Sequence, residues 1–81
     1  MNQRITEYLI LVVRPDIDPV SKEVCGGDHY HYATEKRKNT AFKTAKTLTA
    51  FYEVHVYEED TDVRGHWIFK NGKMTHNMFG N

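Results

Sequence analysis

The residues best suited to chemistry lie close together in the first half of the chain. Cys25, His29 and His31 are metal-ligand types within seven residues, and two histidines two apart on a strand point to the same side. A zinc or other transition-metal site is therefore one hypothesis. Structural zinc sites usually pair two ligand motifs, but the chain has a single cysteine. The missing ligand would come from one of three further histidines, between which the sequence does not choose: His55, His66 and His76. We assign no metal ligand and expect no cofactor.

Enzyme motifs are not found in this sequence. It has no Gly-x-Ser-x-Gly elbow, no Walker-type phosphate loop and no dinucleotide-binding fingerprint. A nucleophile and base pair can be drawn from Cys25 and His29, but they lie four residues apart around two glycines and no third group orients them. We therefore expect a protein that is not an enzyme.

The charge of the chain is balanced overall but divided locally. Eleven basic and eleven acidic residues give a formal net charge of zero, so binding to a polyanion would need a local patch. Residues 33–51 supply such a patch with five basic side chains against the single Glu35: Lys36, Arg37, Lys38, Lys43 and Lys46. With Tyr30 and Tyr32 nearby to stack on bases, nucleic-acid binding through a basic helix is the main alternative function.

Residues 52–63 carry five acidic side chains and no basic one: Glu53, Glu58, Glu59, Asp60 and Asp62. We interpret this run as a solvated turn that complements the neighbouring basic helix. The alternatives are an acidic surface for a basic partner protein or loose binding of a divalent cation.

The first half of the chain predicts strands separated by a long connection. The apolar run within residues 5–14 indicates a central strand covered on both faces. Prolines and glycines over residues 15–28 predict a loop, with a helical turn near Ser21. Residues 29–34 alternate histidine with tyrosine, which favours a short strand with the two residue types on opposite faces.

The second half predicts a helix, a strand and a hairpin. Asn39 and Thr40 are candidate N-caps for an amphipathic helix that ends near Ala50. Alternation over residues 52–57 predicts a half-buried strand. Asn71-Gly72 predicts a two-residue type I′ turn, which sets three opposed pairs: Lys70 with Lys73, Phe69 with Met74, and Trp67 with His76.

Together these elements predict one α+β domain over residues 1–81, with a single helix on a mainly antiparallel sheet of three to five strands and a C-terminal hairpin. The apolar run over residues 8–13 is too short to span a membrane and no signal peptide is evident, so we expect a cytoplasmic protein. The preferred function is a small protein-binding module that acts as an inhibitor, adaptor or regulator, of a size typical of phage or mobile-element proteins. A homodimer is a further alternative. The predicted partner-binding residues are Lys36, Arg37, Lys38, Tyr57, Glu58, Glu59, Asp60 and His66.

Overall fold

The structure, a computed structural model, describes residues 6–59 and 63–77. Its elements follow the order β1 (Glu7–Ile17), β2 (Val24–Glu35), α1 (Lys38–Thr47), β3 (Glu53–Glu59), β4 (Val63–Lys70) and β5 (Lys73–Asn77). The strands form one sheet in the order β2-β1-β3-β4-β5, and every neighbouring pair is antiparallel. The predicted α+β class, the single helix and the C-terminal hairpin are confirmed.

Alternating side chains of the central strands build the core on one face of the sheet. Ile10, Val54, Val56 and Phe69 are almost completely buried there, because residues two apart on a strand point to the same side. Helix α1 covers this face. We call it the helix face, and we call the opposite side of the sheet the open face.

Helix α1 is held by packing rather than by a cap. Ala41 and Ala45 are fully buried against the sheet, and their small side chains allow the helix to approach closely. The Phe42 ring meets the rings of Trp67 and Phe69 edge to face, with centroids 5.1 and 5.2 Å away. The prediction of a cap at Asn39 or Thr40 is wrong: Arg37 is the N-cap and makes no side-chain cap hydrogen bond. Burial of the alanines stabilises the helix without one.

The predicted loop over residues 15–28 is also wrong for most of its length. Strand β1 continues to Ile17 and β2 begins at Val24, so the chain forms a two-stranded ribbon beyond the last β1–β3 pair, Val13 with Glu53. Pro15 is tolerated because it lies next to an irregularity in the β1–β2 register, past the end of β3.

The tip of the ribbon is organised by Asp18. Its carboxylate accepts backbone hydrogen bonds from Val20 at 2.8 Å and from Ser21 at 3.4 Å, and these bonds lower the pKa of Asp18. A helical turn running from Ser21 to Val24 is not formed, since Val24 already belongs to β2.

Strand β1 is internal as predicted, but the expectation that both its faces are covered is wrong. Among residues 6–59 and 63–77 the only helix lies on the helix face, and Leu9 and Leu11 on the other side of β1 are only half-buried. The apolar run is explained by the position of β1 between two strands, not by two covering layers.

The hairpin register is right at the turn and wrong further out. Lys70 opposes Lys73 and Phe69 opposes Met74, but an irregularity then places His76 opposite Ile68 and Asn77 opposite Trp67. The extra residue is Thr75, whose hydroxyl donates a hydrogen bond to the Ile68 carbonyl at 3.3 Å. This bulge turns His76 to the open face.

Candidate functional site

The open face collects all five histidines of the chain. The pairing of β2 with β1 orients His29 and His31, because these two residues oppose Val13 and Leu11. Leu11 in turn opposes His55 on β3, and facing residues in a pair share a side of the sheet. The remaining two histidines reach the same side by their own pairings: His66 with Tyr57, and His76 with Ile68.

Three of these imidazoles form a connected row from β2 to β4. The rings of His29 and His55 meet edge to face at 5.0 Å, and those of His55 and His66 lie side by side with centroids 5.1 Å apart. His76 extends the row onto β5, with its ring 5.8 Å from that of His66. His31 stands apart from these contacts and shares a hydrogen bond with the Thr34 hydroxyl at 2.8 Å.

The centre of the row is a direct hydrogen bond between two imidazoles. Nδ1 of His55 lies 2.9 Å from Nε2 of His66, and Nε2 of His55 lies 3.3 Å from Oε1 of Glu53. A carboxylate can only accept, so His55 Nε2 carries the proton that faces Glu53. In a neutral His55 the Nδ1 atom is then an acceptor, and His66 Nε2–H donates to it. The order of donation is therefore His66 to His55 to Glu53.

Burial favours the neutral form of both rings. It lowers the pKa of His55, although the hydrogen bond and charge of Glu53 oppose the shift. Burial also lowers the pKa of His66, and the positive charge of neighbouring histidines adds to the effect. Near neutral pH both imidazoles are consequently uncharged.

Tyr57 gives the open face an aromatic surface beside this pair. Its ring stacks on His66 with centroids 4.2 Å apart and planes only 10° from parallel. A shallow depression of about 500 Å³ lies next to it, lined by Leu9, Leu11, His29, Tyr57 and Glu59. The apolar and aromatic lining suits contact with an apolar or aromatic group.

Among the described residues, the structure offers no set of ligands for the metal ion considered above. Within residues 6–59 and 63–77, no three His, Cys, Asp or Glu side chains are arranged so that they could hold a metal ion. Cys25 is a free, exposed thiol at the start of β2. The two histidines proposed to join it take other contacts, His29 with the His55 ring and His31 with Thr34.

The predicted basic residues lie away from the open face. Lys36 and Arg37 are exposed in the turn before α1. The Lys38 ammonium lies over the Trp67 ring at 4.8 Å and over the Phe42 ring at 5.4 Å, which ties this charge to the helix-face core. Of the tyrosines expected to accompany this patch, Tyr30 carries the Arg14 guanidinium over its ring at 4.7 Å.

The predicted acidic residues are divided between the two faces. Glu58 turns to the helix face and accepts a 2.7 Å hydrogen bond from the Tyr8 hydroxyl. Glu59 is exposed at the end of β3 and lines the depression on the open face. Asp60 lies outside the described residues. The structure thus joins Glu59 with Tyr57 and His66 on one surface, and separates these three from Glu58 and the basic residues.

No match to the chain was found among protein families, curated proteins or solved structures. No helix in the described part of the chain is both long enough and apolar enough to cross a membrane.

The sequence predicts Tyr57 and His66 as partner-binding residues and places Glu53 and His55 on the same strand face as Tyr57, but it does not assign Glu53, His55 or His76 to the binding surface. The signal was the spacing of two within each strand, which puts His29 with His31, and Glu53 with His55, on one side. Joining those pairs across strands needed the sheet order and the β5 bulge, which local spacing does not contain.

Proposed function

We propose that this chain is a small non-enzymatic module that binds another protein through its open face. The observation that carries the proposal is that no described element covers this face, although it presents half-buried apolar and aromatic side chains: Leu9, Leu11, Tyr57 and Ile68. Apolar surface gathered on one side of a small domain is typical of an interaction site. Burying it under a partner would gain about 25 cal/mol for each Å² of apolar area removed from water.

The composition of the face supports a protein partner. Aromatic side chains at the centre and charged side chains at the rim are characteristic of protein interfaces. Here Tyr57 stacked on His66 occupies the centre, while Glu59 and Glu7 lie at the end of the β1–β3 pair. Stacked rings lose little conformational freedom on binding, so they suit a contact that carries much of the affinity.

The depression beside Tyr57 suits one apolar side chain of the partner. Leu9 and Leu11 form its apolar floor and Glu59 lies at its rim. A partner segment with an aliphatic or aromatic residue next to a basic one would match both features. An exposed free thiol at Cys25 suits a reducing compartment, and we place the protein in the cytoplasm.

Affinity capture with a matched pair of variants tests the proposal. Leu11→Glu places a charge at the centre of the open face, whereas Lys43→Glu changes charge on an exposed position of α1. We expect a specific protein to be retained by the wild type and by Lys43→Glu, and lost with Leu11→Glu while circular dichroism still shows a folded chain. Equal retention by both folded variants would contradict the proposal.

Nucleic-acid binding through the residues around α1 stays a prediction. Phosphate contacts weaken steeply as salt rises, so a salt titration of affinity for DNA or RNA distinguishes it from binding through apolar and aromatic contacts on the open face.

A further inference from the structure

The hydrogen bond between His55 and His66 limits how many protons the open face can hold. Only one hydrogen fits between Nδ1 of His55 and Nε2 of His66 at 2.9 Å. The neutral pair uses the hydrogen on His66, as the acceptor Glu53 requires. The geometry therefore defines which nitrogen carries the shared hydrogen in the neutral pair.

A first added proton preserves this bond. It can bind to the other nitrogen of His66, which continues to donate, or to Nδ1 of His55, which then donates while His66 changes tautomer. The Glu53 carboxylate, 3.3 Å from His55, stabilises the positive charge in either case. The pair thus takes up one proton without losing a contact.

A second proton removes the bond. With both rings cationic, two N–H groups face each other and two positive charges lie on rings only 5.1 Å apart. The rings must separate, and any movement of His66 away from His55 also displaces the Tyr57 ring stacked on it at 4.2 Å. The centre of the open face is thereby rearranged around two charged rings.

The other charged groups on this face set the range over which this happens. Strand β1 contributes Glu7, β2 contributes His29 and His31, and β5 contributes His76, while β3 adds Glu53, Tyr57 and Glu59. Lys70 on β4 is held over the Tyr52 ring at 4.0 Å. Protonated His29 and His76 oppose a second charge on the pair, and Glu53 is the acidic group in direct contact with it.

We propose that the open face is a proton-sensitive binding surface: it holds an apolar segment of a partner protein while the His55–His66 hydrogen bond is intact, and releases it when the pair takes up a second proton. This inference rests on the proposed binding function. The direction follows from desolvation, since burying two unpaired cationic rings under an apolar partner is unfavourable.

Imidazole nitrogen NMR of the full chain tests the switch without any partner. In chelator-treated buffer at pH 7.5 we expect a scalar coupling between His55 Nδ1 and His66 Nε2 across the hydrogen bond. It should survive the first step of acid titration and vanish in the second. His31→Gln, on the same face but outside the row, should leave the coupling unchanged. Absence of the coupling at pH 7.5, or titration of both rings in one step with no change in the coupling between a first and a second step, would overturn the proposal.

Photo-crosslinking at two pH values separates the switch from the binding function. Benzoylphenylalanine at position 11 should crosslink a partner protein at pH 7.5 and at least about fivefold less at a pH below the second titration step located by NMR. In His66→Phe the pair cannot take up a second proton, so whatever crosslinking this variant gives should differ much less between the two pH values than that of the wild type. Crosslinking by the wild type that does not change with pH overturns the switch alone. No crosslinking at either pH overturns the binding function and, with it, the regulation.

Discussion

The Trp67 indole lies directly over Gly65, two residues earlier on the same strand. A Cβ atom at position 65 would overlap the indole ring, so only glycine allows the ring to lie flat against the backbone. In this position Trp67 is 4 % exposed and meets the Phe42 ring of α1. The glycine thus lets β4 supply the largest side chain of the core.

Gly65→Ala should destabilise the fold by about 1–3 kcal/mol, the usual cost of forcing extra atoms into a packed core. Urea unfolding followed by the fluorescence of the single tryptophan measures this cost. In a Trp67→Leu background, followed by circular dichroism, the same Gly65→Ala change should cost much less, because the overlapping ring is gone. Equal costs in the two backgrounds would show that Trp67 is not the reason for the glycine.

The hairpin turn depends on a left-handed backbone at two successive residues. Asn71 has φ of 55° and Gly72 has φ of 79°, as a type I′ turn requires. Gly72→Ala should cost about 1–2 kcal/mol, because a Cβ atom is disfavoured at positive φ and would also press on the Lys46 carbonyl. Asn71→Gly should be close to neutral, since glycine adopts the same φ. A neutral Gly72→Ala in thermal unfolding would contradict the turn assignment.

The hydrogen bond from Tyr8 to Glu58 predicts a stability change in alkali. Burial, the bond and the nearby carboxylate charge raise the pKa of Tyr8 from 10.0 to about 12. The unfolded chain therefore loses this proton first, and stability should fall as pH rises from 10.0 to about 12. Ultraviolet titration of tyrosinate should show one tyrosine that ionises at higher pH than the others, and this tyrosine should be missing in Tyr8→Phe. A Tyr8→Phe titration identical to that of the wild type would contradict the contact.

The lowered pKa values of His55 and His66 predict a loss of stability in acid. Both groups are depressed below 6.5 in the folded chain, so the unfolded state binds protons first. Stability is complete above pH 6.5 and should fall as pH drops below it. The urea midpoint measured between pH 7.5 and 5 checks this, and His55→Gln should flatten the dependence whereas His31→Gln should not. A wild-type midpoint that rises on acidification would contradict the assignment.

The sequence predicted the parts of the fold whose signals are local. Alternation identified β3, Asn71-Gly72 identified the hairpin, and the spacing of Ala41, Phe42 and Ala45 identified α1, all of which the structure confirms. The two-sided burial of β1 was predicted wrongly because an apolar run reports burial without saying whether neighbouring strands or covering layers provide it.

The ribbon and the candidate site could not be predicted from the sequence, for a different reason. Residues 15–17 and 24–28 contain turn-forming types, yet pairing between β1 and β2 makes them strands. Likewise, His55 and His66 are eleven positions apart and meet only because β3 and β4 are neighbours. Contacts of this kind depend on register, which a bulge such as that at Thr75 changes by one residue.

Photo-crosslinking at neutral pH from two positions on the folded chain is the sharpest test of whether the open face is the binding surface. Benzoylphenylalanine at position 11 reports on the centre of the open face, and the same group at position 43 reports on the exposed side of α1. We expect a specific protein adduct from position 11 and none from position 43. Adducts from position 43 alone, or from neither position, would contradict the assignment of the open face as the binding surface.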